Sequence, residues 1–136
     1  MDLSLKRKLY LTAGLLVFSG IAYAIPVYLD RWFFYQIHWG LSRHLLMASH
    51  GLAAFVALFL LGYLYRCHAM VYLRGTRHRH SGVFLLAVWF CLAFSGYGLY
   101  YLGNVEWRLV VSDIHCLVGV SFPFLLIVHR LNRARS

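Results

Sequence analysis

The sequence predicts an all-α integral membrane protein: a four-helix bundle forming one domain over residues 1–136, with both termini cytoplasmic. Three observations predict it. Hydrophobic residues make up 62% of the chain and charged residues 12%, about half the roughly 25% charged share of a soluble domain. Four apolar segments, Leu9–Leu29, Leu45–Tyr65, Gly82–Leu102 and Leu109–Val128, each have 20 or 21 residues and contain no Lys or Arg. That length matches the ~20 residues needed to cross the hydrocarbon core. Finally, the charges separate by side. With the N-terminus inside, ten basic residues (Lys6, Arg7, Lys8, Arg66, Arg74, Arg77, Arg79, Arg130, Arg133 and Arg135) face the cytoplasm and only Arg31, Arg43 and Arg108 lie outside. This is the positive-inside pattern.

The first span follows Lys6-Arg7-Lys8 and contains Ala22-Tyr23-Ala24, which together resemble a signal peptide and its small-residue cleavage site. The apolar run continues through Pro26 to Leu29, longer than a signal core, so it reads as a retained helix. The outer loop, Asp30 to Ser42, holds Trp32, Phe33, Phe34, Tyr35 and Trp39, the aromatic composition of a membrane interface. The second span leads into a basic inner loop, Arg66 to Ser81. The outer turn between the third and fourth spans is only Gly103 to Arg108, so these helices are antiparallel neighbours. No internal repeat or low-complexity segment stands out. Pro123 is a candidate kink in the fourth span.

The net charge of +9 would suit nucleic acid on a soluble basic fold. Here the four spans take up most of the chain, so the basic loops read as topology determinants and anionic-lipid contacts. Cys67, Cys91 and Cys116 form no C-x-x-C-H and no paired framework, which argues against covalently attached haem and against disulfides. They read as small buried apolar residues.

The chemistry-bearing pattern is a set of four histidines. His50 and His68 bracket the second span; His115 and His129 bracket the fourth. Ionisable groups in a membrane are costly to bury and mark function by default. The two helices run parallel because one helix lies between them. His50 is seven residues after Arg43 and His115 is seven after Arg108, so these two share a depth near the outer face. His68 and His129 share one near the inner face. At 3.6 residues per turn, His68 returns to the face of His50, and His129 falls within about 40° of His115. Two b-type haems would then stack across the bilayer, one on His50 and His115, the other on His68 and His129. Imidazole is a standard axial ligand.

The intervening stripes are Ala54, Ala57, Leu61 and Leu64 on the second helix, and Gly119, Phe122 and Leu126 on the fourth. Gly51, Gly119 and the alanines leave room for a flat macrocycle, although small residues also serve plain helix packing. Arg43 and Arg108 outside, and Arg66 and Arg130 inside, are candidate propionate partners through charge-assisted hydrogen bonds; topology alone also puts arginines there. Asp113 is a candidate ligand-orienting or proton-accepting group, or simply a carboxylate at a helix start. His44 falls about 240° around the helix from His50 and points elsewhere, toward a propionate or a quinone. His38 and Trp39 read as quinone-pocket or headgroup residues, and His78 and His80 as solvated or lipid-facing ones.

The stretches SGYGLYYLG (Ser95 to Gly103) and SDIHCLVGVSFPFLLIVHRLNR (Ser112 to Arg133) resemble the last two helices of short four-helix membrane b-type cytochromes. That superfamily includes the cytochrome b subunits of formate dehydrogenases and nickel–iron hydrogenases. The specific part is a histidine pair 14 apart with Gly119 four residues after the first. SHGLAAF (Ser49 to Phe55) and the terminal RCH (Arg66 to His68) are looser matches. In the larger subunits one ligand often comes from the first helix; here that helix has no histidine and His68 takes the place.

The resemblance implies two haems b and electron transfer between the quinone pool and a redox partner or catalytic subunit. It implies a multi-pass protein of the bacterial cytoplasmic membrane, an electron-transfer subunit of an oxidoreductase. Two other classes use the same histidines. A metal-ion handling or transport protein favours intramembrane carboxylates and broken helices near the midplane. A cofactor-free structural subunit uses the histidines only as hydrogen-bond donors, and tolerates their loss.

Overall fold

A computed structural model of the chain describes residues 3–33, 40–66 and 79–134. It contains four helices: α1 (Leu3–Phe33), α2 (Gly40–Leu64), α3 (Arg79–Tyr101) and α4 (Val105–Ala134). Each is long and apolar enough to cross a membrane, as the four apolar runs predict. His38, Trp39, Cys67, His68, Arg74, Arg77 and His78 lie outside the described residues.

Every helix begins before its apolar segment, and α1 and α4 also run past its end. α1 begins a turn and a half before Leu9 and takes in Lys6, Arg7 and Lys8. Long basic side chains can follow a helix out of the hydrocarbon and place their charge among headgroups. α1 also passes through Ala22-Tyr23-Ala24 and Pro26 without a break, ending at Phe33. The outer loop expected from Asp30 to Ser42 is thus shorter at both ends, with α2 already helical at Gly40. A lipid-facing backbone has no water to bond, so winding extra residues into helix is the cheapest way to satisfy its amides.

The chain divides into two units, 1–61 and 62–136. In the first, the sheltered stripe of α2 runs through His50, Ala53, Ala54, Ala57 and Leu61. The opposite side carries Leu52, Phe55 and Phe59, each more than two-thirds exposed, a surface suited to lipid. α1 meets α2 at Ser19, which is 1% exposed, the one buried polar residue among those described.

In the second unit α3 and α4 form a tight antiparallel hairpin. The expected turn from Gly103 to Arg108 narrows to residues 102–104, because Asn104 caps α4: its Oδ1 accepts the Trp107 N–H at 3.1 Å. The side chain thereby satisfies one of the helix's orphan amides, and Glu106 in the first turn suits the positive end of the dipole. The Leu102 N–H closes α3 on the Gly98 carbonyl at 2.9 Å. Asn104→Ala should lower the melting temperature in detergent, with a loss of about 1 kcal/mol; an unchanged melting curve would mean that the cap adds nothing.

Between the hairpin's ends, Trp89 meets Phe122 edge-on with ring centroids 5.1 Å apart, a contact worth about 0.5–1.5 kcal/mol. Leu85 and Phe122 are the buried apolar residues here. The sheltered face of α4 reads His115, Gly119, Phe122, Leu126, His129, the stripe expected from the helical period. Pro123 sits inside α4 beside Phe122 on that face.

Candidate functional site: serine-held histidines

Three histidines, His50, His115 and His129, each lie within hydrogen-bond distance of a serine on the neighbouring helix. In the first unit, Ser19 Oγ lies 3.0 Å from His50 Nδ1. In the second, Ser95 Oγ lies 2.8 Å from His115 Nδ1 near the turn. Toward the other end of the same hairpin, Ser81 Oγ lies 3.0 Å from His129 Nδ1. Ser81 and Ser95 are 14 residues apart, as are His115 and His129. On antiparallel neighbours, equal spacings bring both pairs into register as two rungs. The helix rise of 1.5 Å per residue puts roughly 21 Å between them.

The network assigns the protons of two of these rings. A serine hydroxyl has one proton. Ser95 Oγ stands 2.7 Å from the Cys91 carbonyl and 3.2 Å from that of Leu92. Ser19 Oγ stands 2.6 Å from the Leu15 carbonyl and 3.2 Å from that of Leu16. A carbonyl oxygen cannot donate, and two oxygens so close without a proton between them repel, so each hydroxyl proton is committed to its own helix. Thr12 and Ser121, which face no histidine among the described residues, do the same at 2.8 and 2.7 Å. The serine oxygen is therefore an acceptor toward the ring, and Nδ1 of His50 and of His115 carries the hydrogen. Nε2 is then the unprotonated nitrogen, the atom that can ligate a metal.

The two rings share a second feature. A Cβ placed on Gly20 would stand 3.2 Å from His50 Cε1, and one on Gly96 would stand 3.3 Å from His115 Cε1. A side chain there would press on the edge of the imidazole, which would have to shift by a few tenths of an ångström. So Ser19-Gly20 and Ser95-Gly96, each preceded by phenylalanine, form the same notch in two different hairpins. The sequence reading singled out the histidines and missed these serines and glycines. Two signals point to them: the repeated Phe-Ser-Gly, and the matching 14-residue spacings on neighbouring antiparallel helices.

The other predicted residues are placed as follows. Gly51 is half-sheltered on α2. Gly119 lies against α3, with a Cβ there 3.8 Å from Leu92 Cδ2. Arg43, Arg66, Arg108 and Arg130 are all exposed. Arg43 donates to the Tyr23 hydroxyl at 3.2 Å and lies 5.8 Å from the centre of that ring, so α1 already supplies it with a partner. His44 is exposed on α2, on a different side from His50. Cys91 is exposed and Cys116 half-buried, and neither is in a disulfide, so neither is the buried apolar residue that the sequence suggests.

Among the described residues no three or more His, Cys, Asp or Glu side chains gather as a metal cluster. Single imidazoles with a defined Nε2 lone pair suit a metal whose remaining ligands come from a macrocycle. A planar tetrapyrrole provides four nitrogens and asks the protein for two axial ones. The imidazole donors are of the chemical type such a group takes, while the glycine notches hold the edges of the imidazoles themselves. No known protein family, curated protein or solved structure matches the chain.

Proposed function

We propose that this protein is a di-haem b-type cytochrome of a bacterial cytoplasmic membrane, with both termini cytoplasmic. It carries single electrons between the quinone pool and a redox partner. His50 and His115 would hold the haem nearer the outer face. His129, with His68 outside the described residues, ligates the inner one. The observation that carries the reading is the pair of intramembrane imidazoles whose Nδ1–H is held by serine, which leaves Nε2 as the ligating atom. A hydrogen-bond acceptor on the ring nitrogen that does not bind the metal is the usual companion of a metal-bound histidine.

When bound, haem supplies the one-electron redox chemistry; the chain supplies ligands, their orientation and an apolar surrounding. Arg108, Arg66 and Arg130 are available for propionates at the membrane surfaces; Arg43 would have to share its guanidinium with Tyr23. Gly51 and Gly119 keep the ligand helices slim beside the macrocycle. The protein's electron partner is a redox protein or catalytic subunit docking at one face.

Oxidised and dithionite-reduced visible spectra of the purified protein, with a pyridine haemochrome assay, test the proposal. A b-type spectrum at two haems per chain is expected. One haem per chain would retain a single histidine pair. No haem after expression with ample supply would overturn the reading and favour a structural or metal-handling role.

A further inference from the structure

We infer that Ser19 and Ser95 are positioning residues that lock His50 and His115 in the Nδ1–H tautomer and set the electronic character of the ligands. This rests on the cytochrome reading for the identity of the bound metal, but the lock is a property of the protein alone. An isolated serine–histidine contact between helices is a common way to satisfy a polar group in lipid. Here three features coincide twice. The hydroxyl is tied to a backbone carbonyl of its own helix, its oxygen faces Nδ1, and the next residue is a glycine against Cε1. The hairpins differ otherwise: the serine–histidine separation is 31 residues in one and 20 in the other. The recurrence follows what the ring needs in each.

The arrangement fixes two degrees of freedom of the imidazole. The serine oxygen determines which nitrogen holds the proton, and the glycine lets the ring edge lie close to the helix, which limits rotation about the Cβ–Cγ bond. The acceptor also has a particular strength. A neutral hydroxyl oxygen, whose own proton is already engaged, pulls on the Nδ1–H less than a carboxylate does. The ligand thus stays close to neutral imidazole, which stabilises ferric iron less than an imidazolate-like ligand would. Removing the acceptor weakens that donation further, so the haem potential should rise.

The test is ¹⁵N-histidine NMR of the full-length protein in detergent micelles, compared with Ser19→Ala and Ser95→Ala, and with Ser19→Thr and Ser95→Thr as conservative rescues. In the wild type, Nδ1 of His50 and His115 should carry the proton. In each alanine variant the proton should move toward Nε2 for that histidine alone, while threonine restores it. In haem-loaded protein each alanine variant should raise the midpoint potential of one haem and weaken haem retention by roughly tenfold or more.

A wild-type proton on Nε2 would overturn the inference, and so would alanine variants with unchanged tautomer and unchanged potential. Because the tautomer is read in cofactor-free protein, a proton shift without any haem uptake upholds the lock and overturns only the cytochrome reading.

Discussion

Replacing His115 with alanine is expected to remove one of the two haems and leave the other. Replacing His50 should remove the same haem, and the double variant should lose no more than either single one. This non-additivity follows because an axial pair acts as a unit: once one imidazole is gone, the second has little left to hold. His44→Ala should leave both haems in place, since His44 is exposed on another side of α2. His129→Ala should remove the other haem and spare the one lost in the His115 variant. Haem per chain by pyridine haemochrome, with protein quantified separately, decides the matter. Independent, additive losses from His50→Ala and His115→Ala would refute a shared site. Full haem retention in both would remove these histidines from the ligand set.

Glycine substitutions should divide sharply by position. A methyl on Gly96 would come 3.3 Å from His115 Cε1, and one on Gly20 would come 3.2 Å from His50 Cε1. The ring has little room to yield, because the serine on the other side of its edge holds Nδ1 at 2.8 or 3.0 Å. Alanine at either position should displace the imidazole; valine, branched at Cβ, should do so more strongly. Overpacking of this kind typically costs about 1–3 kcal/mol.

The spectroscopic result should be a partial change from low-spin to high-spin haem, as one axial ligand is pushed off line. Gly14 and Gly62 have nothing within 4 Å of the added methyl. There the change to alanine should be neutral or stabilising by up to about 1 kcal/mol, since alanine is the better helix former. Thermal unfolding followed by circular dichroism, with visible spectra on the same samples, separates the two classes. Equal behaviour at Gly96 and Gly14 would mean that the close approach to His115 is without consequence.

Much of this was legible in the sequence because lipid imposes simple rules. A run of twenty apolar residues without Lys or Arg has few alternatives to a helix, and each of the four spans falls in one of the four helices to within a residue at its end. The period of 3.6 residues placed His115, Gly119, Phe122, Leu126 and His129 on one stripe of α4, and the sheltered side of that helix reads the same way. The helix ends were less legible. The basic residues 6–8 looked like a flank, yet they are wound into α1 because long cations reach the headgroups from inside a helix. The turn before α4 looked wider than it is, because the capping role of Asn104 depends on its side chain turning back onto the Trp107 amide.

The serines were the hardest to read. A serine in an apolar run is unremarkable in composition, and its meaning appears only when the partner helix is aligned beside it. The spacing of Ser81 and Ser95 against His115 and His129 contained that alignment. It becomes visible only once the short turn establishes that α3 and α4 are adjacent and antiparallel.

The three-residue turn capped by Asn104 bears on biogenesis. Two helices joined so closely can enter the bilayer as one hairpin, and His115 and His129 find Ser95 and Ser81 within that hairpin, without the rest of the chain. Polar groups that would resist partition singly are satisfied by one another there.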